Sequence, residues 1–525
     1  MFPSGAFGVG VTVAALHAAV PDDLILPAGV VQRPSRLGEL LPVERMTPEQ
    51  KAANLQLVAQ AEAQVAAFKA ELVVGLAADR PATGDRRSGQ PGAASGEWAA
   101  ELLDASVSEF FPDELALILN SSRAGATRLW ERCSTLRLRL PRTWAALADG
   151  ELDWPRARAI AEELGWPARD STPAVLSAVE AVVLPQAAGL SVTRLKALVR
   201  GELVKADAAA ADARRRRTQR EGDVTVRGLS DGMSEVRSVM PTPDAAQVRA
   251  AADARARVLK AAGDERPLGM LRALVMHELM TRPWQEQPAV TAHVAVVVSL
   301  DTLEAGAAGA PGTGLDPARV DGQPVTAAQA RELLERLDAL CPGGLQAPTG
   351  GSLDIAVTDA EGRLLAAATR RELERIVRRG CADDPDADAD VGCGCRVLRI
   401  PASVDRYQPS PAQRRFLKVR DRTCRHPGCH NGAGWADLDH VVPHGDGGAT
   451  DCSNLCCLCR RHHRLKTHAD GWHYVMTWDG VLSVTTPSGV TRTSWPPGRR
   501  YGIRDLLRVP SERRPVPDEV DPAPF

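Results

Sequence analysis

The sequence lacks an excess of either charge. Its 64 Lys and Arg residues face 66 Asp and Glu residues, so the formal net charge is −2. A protein with this balance does not coat nucleic acid through bulk electrostatics. Any nucleic-acid contact must therefore come from a local group of cations.

A long apolar run and a basic leader are also missing. No uninterrupted apolar segment is long enough to cross a bilayer, and no Lys or Arg precedes Arg33. Tyrosine (3) and phenylalanine (7) are scarce in an alanine- and arginine-rich composition, which bears on ancestry rather than mechanism. We expect a cytoplasmic protein without a membrane partner, in which thiols stay reduced and clustered cysteines bind metal.

A chain of 525 residues is long enough for two to four domains. The fold class that we predict is a mainly α N-terminal region, a small α/β middle unit and a zinc-stapled C-terminal domain. The predicted segments are an irregular start (1–46), a helical domain (47–285), the α/β unit (286–380), an acidic linker and lead-in (381–410), the zinc-stapled domain (411–480), and a hairpin with a Pro/Arg-rich tail (481–525).

Hydrophobic periodicity predicts several individual elements. Apolar residues recur near helical spacing from Thr47 to Ala78, with Pro48 in the first turn, which indicates a long amphipathic helix. Alternation predicts two short strands, at 223–228 and 234–240. The strongest strand signal in the chain is Val290 to Leu300.

Histidine, cysteine and basic residues concentrate near the C-terminus. Eight of the eleven histidines lie between His426 and His473, and six of the eleven cysteines lie between Cys424 and Cys459. Residues 411–470 carry ten Lys and Arg against six Asp and Glu. The clustering favours a metal site in a locally basic segment.

Two close ligand pairs suit a tetrahedral zinc ion. Cys424 and Cys429 form a C-x4-C pair, and Cys459 with His462 forms a C-x2-H pair. Buried thiols or a disulfide are the alternative, which we consider less favoured in a reducing compartment. Two points stay open from spacing alone. Three neighbouring cysteines could replace a ligand, namely Cys452, Cys456 and Cys457, and on a helix Cys459 shares a face with both His462 and His463.

A carboxylate and an imidazole stand side by side in Asp439-His440, at the end of an alternating stretch that precedes Pro443 and a glycine-rich turn. The pattern predicts a hairpin. Because neighbouring strand residues point to opposite faces, both side chains serve one site only if the chain bends near Pro443. From Asn454 to Thr467 we predict a basic helix.

These residues fit the hydrolysis of a phosphodiester. An imidazole can take a proton from water, and a divalent metal on Asp439 and His463 can act as a Lewis acid. Cations are needed to hold the backbone. The residues predicted to contact nucleic acid are Arg461, Arg464, Lys466 and His444.

The combined pattern resembles the HNH endonuclease motif with its ββα-metal fold. It consists of C-x4-C, then Asp-His-x-x-Pro-x-x-x-Gly-Gly, then Asn-Leu, then Leu-Cys-x-x-His-His-x-x-Lys. The resemblance implies that His440 is the general base, that Asp439 and His463 bind Mg²⁺ or another divalent cation, and that Asn454 orients the hairpin by tying its loop. It also implies that His462, rather than His463, binds the structural zinc.

The longer architecture is similar to actinobacterial 13E12-repeat proteins, in which a domain of unknown function precedes the HNH module. This similarity runs from about Thr47 to Trp472 and includes the segment Leu140 to Leu147. The pair Cys456-Cys457 departs from the aliphatic pair usual there.

The function that we expect is metal-dependent cleavage of DNA, most readily double-stranded. A zinc-stapled nucleic-acid-binding protein without cleavage activity is the alternative, but such a protein has no need of the Asp439-His440 pair. A homodimer that delivers two nuclease modules to opposite strands is a further hypothesis.

Overall fold

The computed structural model describes most of the chain. The described residues are 43–87, 89–93, 106–208, 216, 218–220, 222–229, 232–281, 296–307, 316–320, 323–342, 344–348, 351–359, 362–380 and 395–498. Within them helices predominate and the sheets are small and antiparallel. No helix in these ranges has both the length and the apolarity that a membrane span requires.

The chain divides into two compact units, each built from separated segments. Unit 1 comprises Met1–Asp212, Thr423–Val441 and Cys457–Trp495, and unit 2 comprises Ala213–Arg422, Val442–Cys456 and Pro496–Phe525. Segments far apart in sequence therefore belong to the same unit.

Among the described residues, seven helices lie in the N-terminal part of unit 1. They are α1 (Pro48–Ala78), α2 (Phe111–Ile118), α3 (Arg123–Ser134), α4 (Pro141–Ala148), α5 (Trp154–Leu164), α6 (Pro173–Ala187) and α7 (Val192–Ala206), with a π-helical turn at Thr135–Arg139. Capping explains where α1 begins: the Thr47 hydroxyl accepts from Gln50 N, the Gln50 side chain accepts from Thr47 N, and Pro48 occupies the first turn.

These helices enclose two apolar clusters. The larger one joins leucine, valine and alanine side chains of α4 to α7 with Ala63 and Ala67 of α1. The smaller one joins α1 to α2 and α3 through Phe111 and Trp130, whose rings meet edge to face with centroids 5.9 Å apart. Every residue of α2 from Phe111 to Leu117 is buried, so this helix is covered on all sides.

The C-terminal part, after residue 410, contributes elements to both units. They are α13 (Pro411–Asp421), β10 (Asp437–His440), β11 (Leu455–Leu458), α14 (Arg460–His468), β12 (His473–Met476), β13 (Leu482–Thr485) and β14 (Thr491–Ser494). Strands β10 and β11 form a two-stranded sheet, while β12, β13 and β14 form an antiparallel meander in which Tyr474 pairs with Val484 and Val484 pairs with Arg492.

Unit 2 contains short helices and hairpins. They are β1 (Val224–Gly228), β2 (Ser234–Ser238), α8 (Thr242–Ala261), α9 (Leu268–Thr281), β3 (Val296–Val297), α10 (Leu300–Ala307), β4 (Ala318–Val320), β5 (Gln323–Val325), α11 (Ala327–Arg336), β6 (Leu340–Cys341), β7 (Gly344–Leu345), β8 (Asp354–Thr358), β9 (Leu364–Thr369) and α12 (Arg370–Arg379). The sheets are β1-β2, β3-β4-β5, β6-β7 and β8-β9.

Several sequence predictions are confirmed. The long N-terminal helix is α1, and the two short strands are β1 and β2. The apolar face predicted for α1 is wrong in part, because its large residues Val65, Phe68 and Leu72 are exposed and its buried face consists of alanines with Val73. Of the stretch Val290–Leu300, residues 290–295 lie outside the described residues, and strand structure covers Val296–Val297. Residues 381–394 of the predicted acidic linker and 499–525 of the predicted tail also lie outside them. The boundaries between the six predicted segments stay predictions.

The helix predicted from Asn454 is wrong over its first part. Residues Leu455–Leu458 form the buried strand β11, and the helix begins at Arg460. The four residues Leu-Cys-Cys-Leu are buried throughout, and a short apolar run of this length does not distinguish a strand from a helix by periodicity. Pairing with β10 decides the outcome.

Candidate metal centre and Asp-His site

Four side chains converge into a cluster that could hold a metal ion. One ligand atom from each of Cys424, Cys429, Cys459 and His462 lies within 4.8 Å of all the others. The Nδ1 atom of His462 lies 3.4 Å from Cys424 Sγ and 3.2 Å from Cys459 Sγ. The structure thus selects His462 over His463, and among the described residues this cluster does not include the neighbouring Cys452, Cys456 and Cys457.

A tight loop presents the first two cysteines. Cys424 N donates to Asn431 O at 2.7 Å and Cys429 N donates to His426 O at 3.1 Å, which folds the segment back on itself. Gly428 has φ of +78°, a conformation that residues with a Cβ rarely adopt. Arg425 is almost fully buried and donates to the carbonyls of Gly480 and Ser494, so the loop is fastened to the β12–β14 meander.

The other two ligands come from the start of α14. Cys459 is the N-cap residue with extended backbone, and His462 is the third residue of the helix. This geometry turns the thiol and the imidazole toward the same point, as the C-x2-H spacing predicts.

The donor set fits a soft or borderline divalent ion such as zinc. Three sulfurs and one imidazole nitrogen are a common structural-zinc combination. Hydrogen bonds from Cys424 and Cys429 hold the pKa of Cys459 well below its ordinary value, and the same hydrogen-bond network raises the pKa of Cys424. The cluster therefore stabilises a thiolate at Cys459, and a metal would displace protons from the remaining thiols.

His426 packs against the cluster, and sequence reasoning did not single it out. Its ring stacks on that of His462 with centroids 3.9 Å apart and planes 9° apart, and its Nδ1 lies 3.1 Å from the hydroxyl of Tyr474. Burial lowers the pKa of His426 well below its ordinary value, so the ring is neutral. The only sequence signal was its position inside the C-x4-C loop.

The far side of His462 faces a carboxylate of the N-terminal helices. Asp113 of α2 lies with Oδ1 3.3 Å from His462 Nε2, and Arg461 Nη2 lies 2.7 Å from Asp113 Oδ2. Burial raises the pKa of Asp113, but Arg461 and His462 outweigh it and hold the pKa far below its ordinary value. Nothing in the sequence pattern had pointed to Asp113.

Two residues predicted to bind phosphate, Arg464 and Arg461, instead pair with carboxylates of the same chain. Arg464 forms a two-pronged pair with Glu109, at 3.1 and 2.5 Å, and donates to Gly92 O. Arg461 pairs with Asp113 and also donates to the backbone of Glu109. Because both guanidinium groups are covered by carboxylates, the structure does not support phosphate contacts for Arg461 and Arg464.

A second group of polar side chains joins β10 to α14. His463 Nε2 lies 3.5 Å from Asp439 Oδ1, and its Nδ1 lies 2.9 Å from Asp437 Oδ2. Asp437 and Asp439 are two residues apart on a strand, so they share a face and both reach the same imidazole. Sequence reasoning brought Asp439 and His463 together but missed Asp437, although the alternation of β10 could have revealed it.

Lys466 belongs to the same group. Its Nζ lies 3.0 Å from Asp439 Oδ2 and donates to the backbone carbonyl of His440 at 2.7 Å. Among the described residues, Asp439 Oδ2 is buried and accepts no hydrogen bond of good geometry, even though the ammonium lies close. Lys466 is thus directed at the predicted catalytic residues. Its ammonium group is not exposed, so the structure gives no support to the predicted phosphate contact.

The remaining predicted residues lie along the loop after β10. His440 ends the strand and is 4% exposed, and the chain bends directly after it, close to the predicted bend at Pro443. Asn454 ties that loop: its amide oxygen accepts from Val442 N, and its nitrogen donates to the carbonyls of Val442 and Ala449. This is the loop-tying geometry that the resemblance implies.

The same loop contains Gly448 and His444. A Cβ on Gly448 would lie 1.9 Å from Val442 O, which explains the glycine. His444 is exposed, and its ring meets Tyr407 edge to face.

Comparison with known proteins gives relatives whose names state no activity. The chain is 41% identical over 113 residues to the uncharacterized protein Rv3776 of Mycobacterium tuberculosis, which is 21% of this chain and 22% of the relative. It is 43% identical over 100 residues to the uncharacterized protein MT2160 of the same species, which is 19% of this chain and 18% of the relative. The chain thus matches about a fifth of the length of these relatives, and no solved structure matches it.

A domain family covers much more of the sequence. The domain of unknown function DUF222 matches residues 52–338, which include most of α1, all of helices α2 to α11 and the carboxylate that faces His462. Since this match spans more than half of the chain, the protein belongs to the DUF222 family.

Proposed function

We propose that this protein is a metal-dependent endonuclease of the HNH type that hydrolyses phosphodiester bonds of DNA. The observation that carries the proposal is the approach of Asp439 and His463, whose Oδ1 and Nε2 atoms lie 3.5 Å apart on adjoining elements. A carboxylate oxygen and an imidazole nitrogen at this separation suit a divalent cation. The family match supports the proposal, because in actinobacteria a DUF222 domain usually precedes an HNH domain.

Two metal sites belong to this proposal. Cys424, Cys429, Cys459 and His462 would hold a structural Zn²⁺, and Asp439 with His463 would hold Mg²⁺ or another divalent cation. When bound at the second site, the cation supplies Lewis-acid stabilisation of charge on the phosphoryl group and the leaving oxygen. Asp439 Oδ1, which faces His463 Nε2, is the oxygen that such an ion would use, while the buried Oδ2 lies 3.0 Å from the Lys466 ammonium.

The remaining chemistry falls to the chain's own residues. His440 is the proposed general base: its imidazole accepts a proton as the water oxygen bonds to phosphorus and one bridging P–O bond breaks. Asn454 holds the loop that follows His440 in the chain. Lys466 fixes the backbone of His440 and the side chain of Asp439.

Nucleic-acid contact requires cations other than Arg461 and Arg464. Arg460 at the start of α14 has a side chain that is 67% exposed, and its Nη1 donates to Asp437 Oδ2 at 3.3 Å. A pair this exposed can exchange its carboxylate for a phosphate near the Asp-His site. His444, which is exposed, stays a predicted phosphate contact. We propose DNA as the partner, and we propose that Arg460 binds its phosphates in place of Arg461 and Arg464.

The test is nicking of supercoiled plasmid by the purified protein with a panel of divalent metals. His440→Ala should reduce cleavage at least a hundredfold, because a general base contributes about 10²–10⁴ in rate. The matched control is His473→Ala, which removes an exposed histidine of β12 and should cleave like the wild type. Wild-type cleavage by the His440 variant would refute the assigned base.

A second candidate is a zinc-stapled nucleic-acid-binding protein without cleavage activity. The burial of His440 is the observation that favours it, since a general base must meet its water. The same experiment separates the two: a gel shift with plasmid left intact under every metal would support the binding protein.

A further inference from the structure

We infer that Asp113, on helix α2 of the DUF222 region, positions the metal ligand His462 and so completes the Cys3His metal centre from the N-terminal part of the chain. This inference rests on the proposed occupancy of that cluster by a metal and is independent of whether the protein cleaves DNA.

The first step is the orientation of the imidazole. His462 presents Nδ1 to the sulfurs of Cys424 and Cys459, which leaves Nε2 on the opposite side of the ring. There Asp113 Oδ1 lies 3.3 Å away, although the two residues are separated by 349 positions in the sequence. With Nδ1 on a metal, Nε2 must carry the proton, and this N–H donates to Asp113.

The second step is that the carboxylate is held in place. The Nε and Nη2 atoms of Arg461 donate hydrogen bonds to Asp113 Oδ2, at 3.1 and 2.7 Å. Asp113 is 1% exposed, so water does not replace it. The carboxylate is therefore fixed opposite the ligand by a residue adjacent to that ligand in sequence.

The third step is that α2 is fastened to the C-terminal part at further points. The backbone N–H of Ser488 donates a hydrogen bond to Glu114, which also forms an ion pair with Arg80. Arg492 donates to Leu117 O at 2.8 Å. These contacts bring Asp113 to His462 as part of a fully buried helix. All of these residues belong to unit 1.

The expected consequence is a higher affinity for metal. A ligand histidine that donates its second N–H to a carboxylate is a stronger base and is held in the correct tautomer, and loss of such a partner lowers metal affinity about ten- to a hundredfold. The DUF222 helix would thereby contribute directly to the metal centre.

The experiment measures the affinity of the full chain for Zn²⁺ by competition with a chromophoric chelator. Asp113→Asn should bind Zn²⁺ about ten- to a hundredfold more weakly than the wild type. The matched control is Glu114→Gln, which removes the neighbouring buried carboxylate and its contacts to Arg80 and Ser488 without touching His462. It should leave the affinity close to the wild-type value, because Glu114 pairs with Arg80 and Ser488 and not with His462.

Two further readouts separate positioning from general loosening. Asp113→Asn should shift the visible absorption of the Co²⁺-loaded protein, while Glu114→Gln should leave the spectrum unchanged. Arg461→Met removes the ion pair but keeps the His462 contact, and Asp113→Asn should weaken Zn²⁺ binding in this background as well. Arg461→Met leaves Arg123, whose Nε lies 3.5 Å from Asp113 Oδ1, so this variant by itself should lose no more affinity than Asp113→Asn does. An Asp113→Asn change that had no effect on Zn²⁺ binding in the Arg461→Met background, while Arg461→Met alone kept the wild-type affinity, would overturn the inference.

The outcomes also separate this inference from the proposed metal centre. Equal affinity and equal Co²⁺ spectra for Asp113→Asn and wild type would overturn the role of Asp113 while leaving the metal centre intact. Failure of the wild-type chain to bind Zn²⁺ or Co²⁺ would overturn both.

Discussion

At the residue scale, identical side chains differ in role because their surroundings differ. Arg460, Arg461 and Arg464 lie within one and a half turns of α14, yet Arg461 and Arg464 are buried against Asp113 and Glu109 while Arg460 is mostly exposed. A guanidinium already paired with a buried carboxylate is not available to a phosphate. The local sequence shows that these three residues are charged, but not which carboxylate each of them meets in the folded chain.

The cysteines differ in the same way, and this leads to a prediction. Cys429→Ser should abolish stoichiometric metal binding and unfold the C-terminal part, because structural zinc supplies folding free energy outright. The check is metal content by atomic emission together with thermal melting.

The matched control for that prediction is Cys452→Ser. Burial raises the pKa of Cys452 to about 12, so this residue stays a neutral thiol, and it lies outside the cluster. It should keep the wild-type metal stoichiometry. Loss of metal in both variants, or in neither, would contradict the assigned ligand set.

At the element scale, charged residues join helices that are not neighbours in sequence. Glu162 of α5 pairs with Arg132 of α3 and with Lys196 of α7, each at 2.6 Å. Burial raises the pKa of Glu162, but the hydrogen bond from Lys196 and the charge of Arg132 outweigh it and bring the pKa below the ordinary 4.5. One carboxylate therefore connects three helices.

The sign of this shift gives a pH-dependent prediction. A carboxylate whose pKa is lowered by folding stabilises the native state above pH 4.5, and the stabilisation is lost as the pH falls through the folded value. Glu162→Gln should lower Tm by a few degrees at neutral pH, since a partly exposed pair contributes about 1 kcal/mol or less. The difference should shrink as the pH falls below 4.5 and vanish once the carboxyl group is protonated in both the folded and the unfolded state.

Calorimetric melting of both proteins across this range is the measurement. Glu202→Gln is the control, because Glu202 pairs with Lys205 within α7 and connects no two helices. A Tm difference for Glu162→Gln that persisted unchanged in acid would show that the charge is not responsible.

At the scale of the whole molecule, the metal cluster belongs to a unit whose segments are more than two hundred residues apart in sequence. The Cys3His residues lie in the same unit as α1 to α7, and Asp113 of α2 and Glu109, which lies just before α2, contact α14. Helices α1 to α7 and the ligand cysteines therefore belong to one compact unit rather than to independent modules.

A homodimer would carry two copies of the candidate site. A protein that cuts both strands of DNA needs two nuclease sites, and a pair of chains would supply them. Light scattering should then give twice the 56.0 kDa of one chain, in the presence of DNA if not in its absence. A single-chain mass under both conditions would remove the hypothesis.

The sequence by itself determined the local features of the candidate site. Metal-ligand spacing predicted Cys424, Cys429 and Cys459, because chelation by close pairs depends on a few intervening residues. Capping and periodicity predicted α1, and alternation predicted β1 and β2, since these depend on neighbours along the chain. The choice of His462 needed the family resemblance, because periodicity allowed either histidine.

Tertiary structure decided everything that depends on a distant partner. The run Leu455–Leu458 is a strand because it pairs with β10, and Arg461 and Arg464 are covered because Asp113 of α2 and Glu109, just before α2, lie against them. Asp113 approaches His462 across 349 residues of sequence, and no local pattern encodes such a contact. Burial and charge pairing act between segments that meet only in the folded chain, and this is why they were not readable beforehand.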